Sequence, residues 1–274
     1  MIPLSTPHCH TLFTDGRNTA EEMVTEALRQ GFVSLGFSEH ALQLFDFPYA
    51  LTEESEAQYI QTVRGLKEIY QDRIRLYLGM ERDLLSCADK AKFDYVLASS
   101  HYVKTARGNT AVDGDLSKIQ TALREDFGGD GLKLAKAYYQ PFGAYIASYK
   151  PDIIGHFDLV VKYSRQGELF DPGSPAYLQI AMEAMEEAFT GCTLMEVNTG
   201  AILRSGAPGP YPSLPLLKHW RKLGGDVILS SDCHFAPQLS SGYEKGLAVI
   251  REAGFESVLI LNPEPGELFA RISL

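Results

Sequence analysis

The chain has few of the features that would tie a small fold together or target it elsewhere. Its 274 residues include only four cysteines, Cys9, Cys87, Cys192 and Cys233, and no two form a Cys-x-x-Cys pair. They read neither as a disulfide framework nor as a zinc ribbon. No uninterrupted apolar run is long enough to span a bilayer. The opening MIPLSTPHCH lacks a charged n-region and a long apolar h-region, so no signal peptide is expected and the expected location is cytoplasmic. Positive charge is short as well: 25 Lys and Arg stand against 35 Asp and Glu, for a net charge of -10. A nucleic-acid binder would carry a basic face. The only tight basic cluster, Lys218, Arg221 and Lys222, reads as the solvated side of a helix. Neither a nucleic-acid nor a membrane partner is expected. Repeats, low-complexity tracts and linkers are also missing, so one domain over residues 1–274 is expected. No feature fixes an oligomeric state.

Short apolar runs alternate with helix-like stretches. The strand candidates are 34–38, 74–79, 95–99, 153–155, 193–197, 227–231 and 257–261, with a first short strand near 3–10. Their β-branched character suits strands buried on both faces. Thr19 with Glu22 forms a capping-box pattern, and Gly31 marks the end of that helix. Thr52 opens a helix to about Asp72, Ser174-Pro175 another that Gly191 closes, Ser213 one that Gly224 stops, and Glu244 the last. The stretch 132–149 is helical in pattern, but Pro141 should break or kink it. Such alternation indicates an α/β fold with a parallel sheet.

The sequence has only seven histidines, and six fall at or just beyond strand ends: His8 and His10 in PHCH, His40 in FSEH, His101 in ASSH, His156 in IIGH and His234 in SSDCH. Asp15, Glu81, Glu196 and Asp232 occupy equivalent places. In a (β/α) barrel the carboxyl ends of all strands face one rim, where active sites form. This favours a closed barrel over an open sheet. Strand side chains alternate, so His8 and His10 share a face while Cys9 points away, and Asp232 and His234 repeat this around Cys233. The two cysteines then read as small packing residues. One such histidine alone would be an ordinary hydrogen-bonded residue, as His219 beside Trp220 is taken to be. The set of six is not so explained. Imidazoles with carboxylates favour zinc, manganese or iron over calcium or magnesium, and so many donors call for two or three ions.

The ordered series HxH, DG, SEH, GxE, SSH, GHFD, ExN and SDxH resembles the polymerase-and-histidinol-phosphatase (PHP) family. The markers run from His8 to His234, so they cover most of the chain. The resemblance implies a distorted (β/α)7 TIM-like barrel with a trinuclear metal centre at the C-terminal rim. Carried over by motif, one ion takes His8, His10 and Asp232 with Glu81 bridging. A second takes Glu81, His101 and His156, and a third takes Asp15, His40 and His234. Glu81, Asp232 and His234 are then the catalytic candidates. Glu196 stands outside this set, as a group that orients a ligating histidine or as packing. Asp158 is a further supporting or structural candidate.

Bound ions would lower the pKa of a bridging water and offset charge on a phosphoryl group. No covalent nucleophile is needed, and neither Cys-x5-Arg nor Gly-x-Ser-x-Gly occurs. A phosphate ester also calls for fixed cations with a bidentate fork. Arg17, Arg165 and Arg204 follow strand ends and are the candidates, at least two of them expected on phosphate, with Lys104 a weaker one. The acidic chain does not exclude such a substrate, because bound metals invert the local field. The aromatic segment ALQLFDFPYA after His40 could wall or cover a ring-bearing substrate, or plug the space under the helices. The reading is a metal-dependent phosphomonoesterase acting on a small molecule. The resemblance implies L-histidinol phosphate. The alternatives are a nucleotide, sugar phosphate or phosphotyrosine substrate, or a non-catalytic metal-binding module.

Overall fold

A computed structural model describes residues 2–45, 49–164 and 167–274. Seven parallel strands follow one another around the sheet: β1 (Leu4–Thr6), β2 (Phe32–Phe37), β3 (Arg75–Asp83), β4 (Tyr95–Ser99), β7 (Ile153–Ile154), β8 (Leu194–Asn198) and β9 (Asp226–Ser230). β5 (Tyr102–Thr105) and β6 (Gly108–Ala111) form a separate antiparallel hairpin directly after β4. β10 (Ser257–Leu261) runs parallel to β9, and β11 (Phe269–Ser273) returns antiparallel beside it. Beyond the ends of β1 and β9, Cys9 pairs with Cys233. The His10 amide donates to the Cys233 carbonyl at 2.8 Å. That pairing is the seam that closes the barrel. At the opposite end β10 wedges in, with the Leu261 amide donating to Ser5 Oγ at 3.2 Å and Ser34 Oγ to the Leu261 carbonyl at 2.6 Å. The result is the distorted, TIM-like barrel expected from the sequence.

The helices form where the local signals place them. α1 (Ala20–Gln30) has both halves of the Thr19–Glu22 capping box and ends at Gly31, whose φ of 82° suits glycine. α2 (Glu53–Tyr70) starts at Thr52. α3 (Leu116–Glu125) follows the hairpin. α4 (Gly131–Tyr149) runs through Pro141 as one helix, so of the break or kink expected there the break does not occur. Its buried face, including Leu134, Tyr138 and Phe142, is held by the core, and this packing outweighs one lost hydrogen bond. α5 (Pro175–Phe189) begins at Ser174-Pro175, α6 (Gly200–Arg204) is a short turn after β8, and α7 (Leu214–Leu223) and α8 (Tyr243–Glu252) complete the layer.

Tyr95 fills the barrel interior. Its hydroxyl donates to the Pro7 carbonyl and, at 3.2 Å, to the Phe37 carbonyl. Any Cβ at Gly36 or Gly79 would collide with its ring. Two residues beyond Gly79 along β3, Glu81 faces the same interior one level higher. The packed phenol is thus the floor on which the polar cluster stands.

Candidate metal centre

Each strand end contributes one polar group or a pair, and the groups converge. Nε2 of His8 and of His10 lie 3.1 Å apart. His8 Nε2 is 3.4 Å from Glu81 Oε2 and 3.5 Å from Asp232 Oδ1. His10 Nε2 is 3.5 and 3.4 Å from the same two oxygens. Donors held at about 2.1 Å around one tetrahedral ion are about 3.4 Å apart, so these four fit one ion. On the other side of Glu81, His156 Nε2 lies 3.0 Å and His101 Nε2 3.6 Å from Oε1. Further out, Asp15 lies 3.2 Å from His234 Nε2 and 3.6 Å from His40 Nε2. Three groups of candidate donors converge: His8, His10 and Asp232; His10, Asp15, His40 and His234; and His40, Glu81 and His101. All nine residues named from sequence therefore meet at one rim. The grouping differs slightly from the expected one. His40 Nδ1 approaches Glu81 at 2.8 Å, so His40 is shared between two groups, and His156 meets the cluster through Glu81 alone.

The donor chemistry suits divalent cations. Glu81 Oε2 is buried among three imidazoles yet makes no hydrogen bond among the described residues, and neither does His10 Nδ1. Burial disfavours charge on Glu81, but His40, His8 and His101 outweigh it and hold the carboxyl well below its ordinary range. Asp232 is likewise held low against burial, by Arg204 and His8. Burial, with His40 and His234 nearby, pushes His10 down to about 3. Burial opposes a charge on His101 too, yet Glu81 and Asp83 raise it to about 10. The surroundings favour the charged form of both carboxylates, and divalent ions can supply the positive charge that such a cluster calls for.

Supporting groups aim the donors. His8 Nδ1 donates to Glu196 Oε1 at 2.6 Å, which turns Nε2 toward the cluster. Glu196 also accepts from the His156 amide at 2.8 Å and from Asn198 Nδ2 at 3.1 Å, so of the two roles open to it, orienting a histidine is the one its contacts describe. Asp83 does the same for His101, accepting from its amide at 2.7 Å and from Nδ1 at 3.1 Å. Glu39 accepts from the Thr11 amide at 2.9 Å and hydroxyl at 2.6 Å and from Thr14, tying down the loop that carries Asp15. Asp83 and Glu39 were missed in the sequence, although Asp83 lies two residues past Glu81 on the same strand face. Asp158 accepts from the Ser213 amide at 2.9 Å, a structural contact at the start of α7. Asp232 has a φ of 49°, a left-handed conformation that aspartate tolerates better than most residues. This turn lets Asp232 and His234 both face the cluster. Cys9 and Cys233 are buried in the wall, as the alternation required.

A cavity of about 540 Å³ opens above the cluster, lined by Arg17, Tyr49, Tyr102, Asp113, Lys162 and Arg204 among others. Arg204 donates to Asp232 Oδ2 at 2.7 Å and to the Asp232 carbonyl. Arg17 is fixed through its amide, which donates to the His234 carbonyl at 2.8 Å. Arg165 lies outside the described residues. Lys104 is exposed on β5 and does not line the cavity, although it shares a strand face with Tyr102, which does. Of the segment 42–49, Tyr49 forms cavity wall, packing edge-on to His40 at 4.9 Å, with its hydroxyl against that of Tyr102 and accepting from Gln43 at 2.9 Å. Residues 46–48 lie outside the described residues.

The PHP domain model matches residues 7–200, which includes the strand ends from His8 to Asn198. A Schizosaccharomyces pombe protein named "Probable histidinol-phosphatase" is 26% identical over 96% of this chain and 91% of its own length. The Lactococcus lactis histidinol-phosphatase is 26% identical over 92% and 91%. A Lactococcus lactis crystal structure, a histidinol phosphate phosphatase complexed with zinc, L-histidinol and phosphate, superposes with a TM-score of 0.65 at 21% identity, covering 93% of this chain and 95% of that one.

Proposed function

The chain belongs to the PHP domain family, and from that premise we propose that it is a metal-dependent phosphomonoesterase that hydrolyses L-histidinol phosphate to L-histidinol and phosphate. The observation that carries the reading is the convergence of six histidines and three carboxylates at one rim with ligand-like spacings. The near full-length curated relatives with this activity in their names support the substrate. His8, His10 and Asp232, with Glu81 between, would hold one ion. Glu81, His101 and His156 would hold a second, and Asp15, His40 and His234 a third. Two or three divalent ions (zinc, manganese or iron) would supply a nucleophile at neutral pH and offset charge on the phosphoryl group.

The chain's own residues do the rest. Glu81, reaching both sides of the cluster, sets the spacing that an in-line displacement needs. Asp232 and His234 face the cavity from the seam, and Glu196 and Asp83 keep imidazoles aimed. Arg17 and Arg204 bind phosphoryl oxygens, Arg204 through its planar fork. The barrel floor at Tyr95 closes the cluster to solvent from below.

The test is metal-replete protein assayed against histidinol phosphate, a nucleotide, a sugar phosphate and a phosphotyrosine peptide. Histidinol phosphate should lead in kcat/KM by at least about tenfold. Prolonged chelation should abolish turnover, and manganese or zinc should restore it. Full activity in rigorously metal-free protein sinks the metal reading. A clear preference for another ester sinks the substrate alone.

A further inference from the structure

The cavity is polarised, and the polarity follows from strand order. Arg17 and Arg204 gather at the β9–β1 seam, where Arg17 bonds to His234 and Arg204 to Asp232. In the ring β1-β2-β3-β4-β7-β8-β9, β4 occupies the middle place and so stands across the barrel from that seam. From β4 the chain passes His101 and enters the β5–β6 hairpin. The Val112 amide returns to the His101 carbonyl at 2.8 Å, which brings Asp113 back to the cavity wall beside Tyr102.

Asp113 is held there by its backbone. Lys162 Nζ donates to the Asp113 carbonyl at 2.5 Å and Tyr163 Oη at 3.2 Å, and Tyr163 also reaches the Gly114 carbonyl. These contacts engage the backbone and not the carboxylate, whose residue lines the cavity and whose charge acts on His101. Nearby, Tyr102 meets Phe45 edge-on at 5.0 Å and touches the Tyr49 hydroxyl, giving an aromatic surface at the same end. One end of the cavity therefore presents guanidinium groups above the metal donors. The other presents the Asp113 carboxylate beside aromatic faces, with Lys162 spent on the Asp113 backbone carbonyl.

We propose that Asp113 is the specificity-determining residue for the ammonium of the substrate, binding it at the β5–β6 end while the phosphate occupies the arginine end. This rests on the phosphomonoesterase reading above and adds the polar contact that tells an amino-alcohol phosphate from other esters. The arginines and metal donors hold any phosphomonoester equally well. Discrimination therefore needs a group that meets the far end, and a carboxylate left without its ammonium gains nothing from an amine-free ester.

The experiment compares wild-type, Asp113→Asn and Asp113→Glu protein, each metal-replete, on two esters. One is histidinol phosphate; the other is the phosphate of 3-(imidazol-4-yl)propan-1-ol, which keeps the ring and lacks the amine. In Asp113→Asn the kcat/KM ratio of the first to the second should fall at least about tenfold, chiefly through KM, with partial recovery in Asp113→Glu. An unchanged ratio overturns the proposal, whether both substrates are lost together or neither is affected. Wild-type protein that favours histidinol phosphate with an unresponsive Asp113→Asn ratio overturns this inference alone. Wild-type protein active on both esters without preference overturns the substrate reading and this inference with it.

Discussion

The floor of the cavity and its walls are built by different means. On the floor, His8, His10, His101, His156 and Asp232 stand just past strand ends and Glu81 near the end of the β3 ladder, and all are buried. Glu196 and Asp83 fix their orientations. On the walls, Arg17, Tyr49, Tyr102, Asp113 and Arg204 come from loops, a hairpin and a short helix. The floor is pre-organised by the sheet, and the walls by a few local bonds. The difference teaches where substitutions should be costly: at the floor they disturb catalysis, and at the walls they disturb binding and choice of substrate.

The largest effect is expected from Glu81→Gln. The change keeps shape but removes the charge shared by five imidazoles, His8, His10, His40, His101 and His156. We expect kcat to fall roughly a hundredfold to a thousandfold together with the bound metal per chain. Near-normal kcat with metal retained would break the contrast at its strongest point. Glu196→Gln should come next, since it weakens the bond that orients His8 without removing a donor. A loss of about tenfold to a hundredfold in metal affinity or kcat is expected, read by titrating apo protein with manganese while following turnover. An equal loss in both variants would mean that Glu196 belongs to the donor set.

Arg204→Lys should be the mildest. Lysine keeps the charge and loses the fork, so KM and the inhibition constant of inorganic phosphate should rise about tenfold or less, with kcat nearly held. This prediction sharpens the comparison because Arg204 also bonds Asp232. A collapse of kcat as deep as that of Glu81→Gln would move Arg204 from the wall to the floor.

The same division governs what could be read from the sequence. The floor was legible because a strand end repeats every second residue: HCH and DCH spell out two donors each, and apolar runs before them announce the strands. Even there Asp83 escaped, because only Glu81 of the pair resembled a donor motif. The walls were much less legible. The hairpin's second strand, GNTA, is polar and short, with no apolar alternation to mark it, so neither Tyr102 nor Asp113 was singled out. Arg17 and Arg204 were picked out because they follow strand ends, and Lys104 was picked out for the same reason but stands exposed on the hairpin, away from the cavity. The continuous α4 was hidden because tertiary burial decides whether a proline interrupts a helix, and burial is not written locally.

The seam at Cys9 and Cys233 bears on the order in which the protein comes into being. His8 and His10 precede Asp232 and His234 by more than 200 residues. Until β9 is made, the histidine pair has Glu81 beside it but lacks Asp232 across the seam. Closure of so long a loop is entropically late, so completion of the donor set belongs to the last stage of folding. Before β9 docks, the seam therefore carries an open pair of imidazoles, and the docking of one strand finishes both the barrel and the donor cluster.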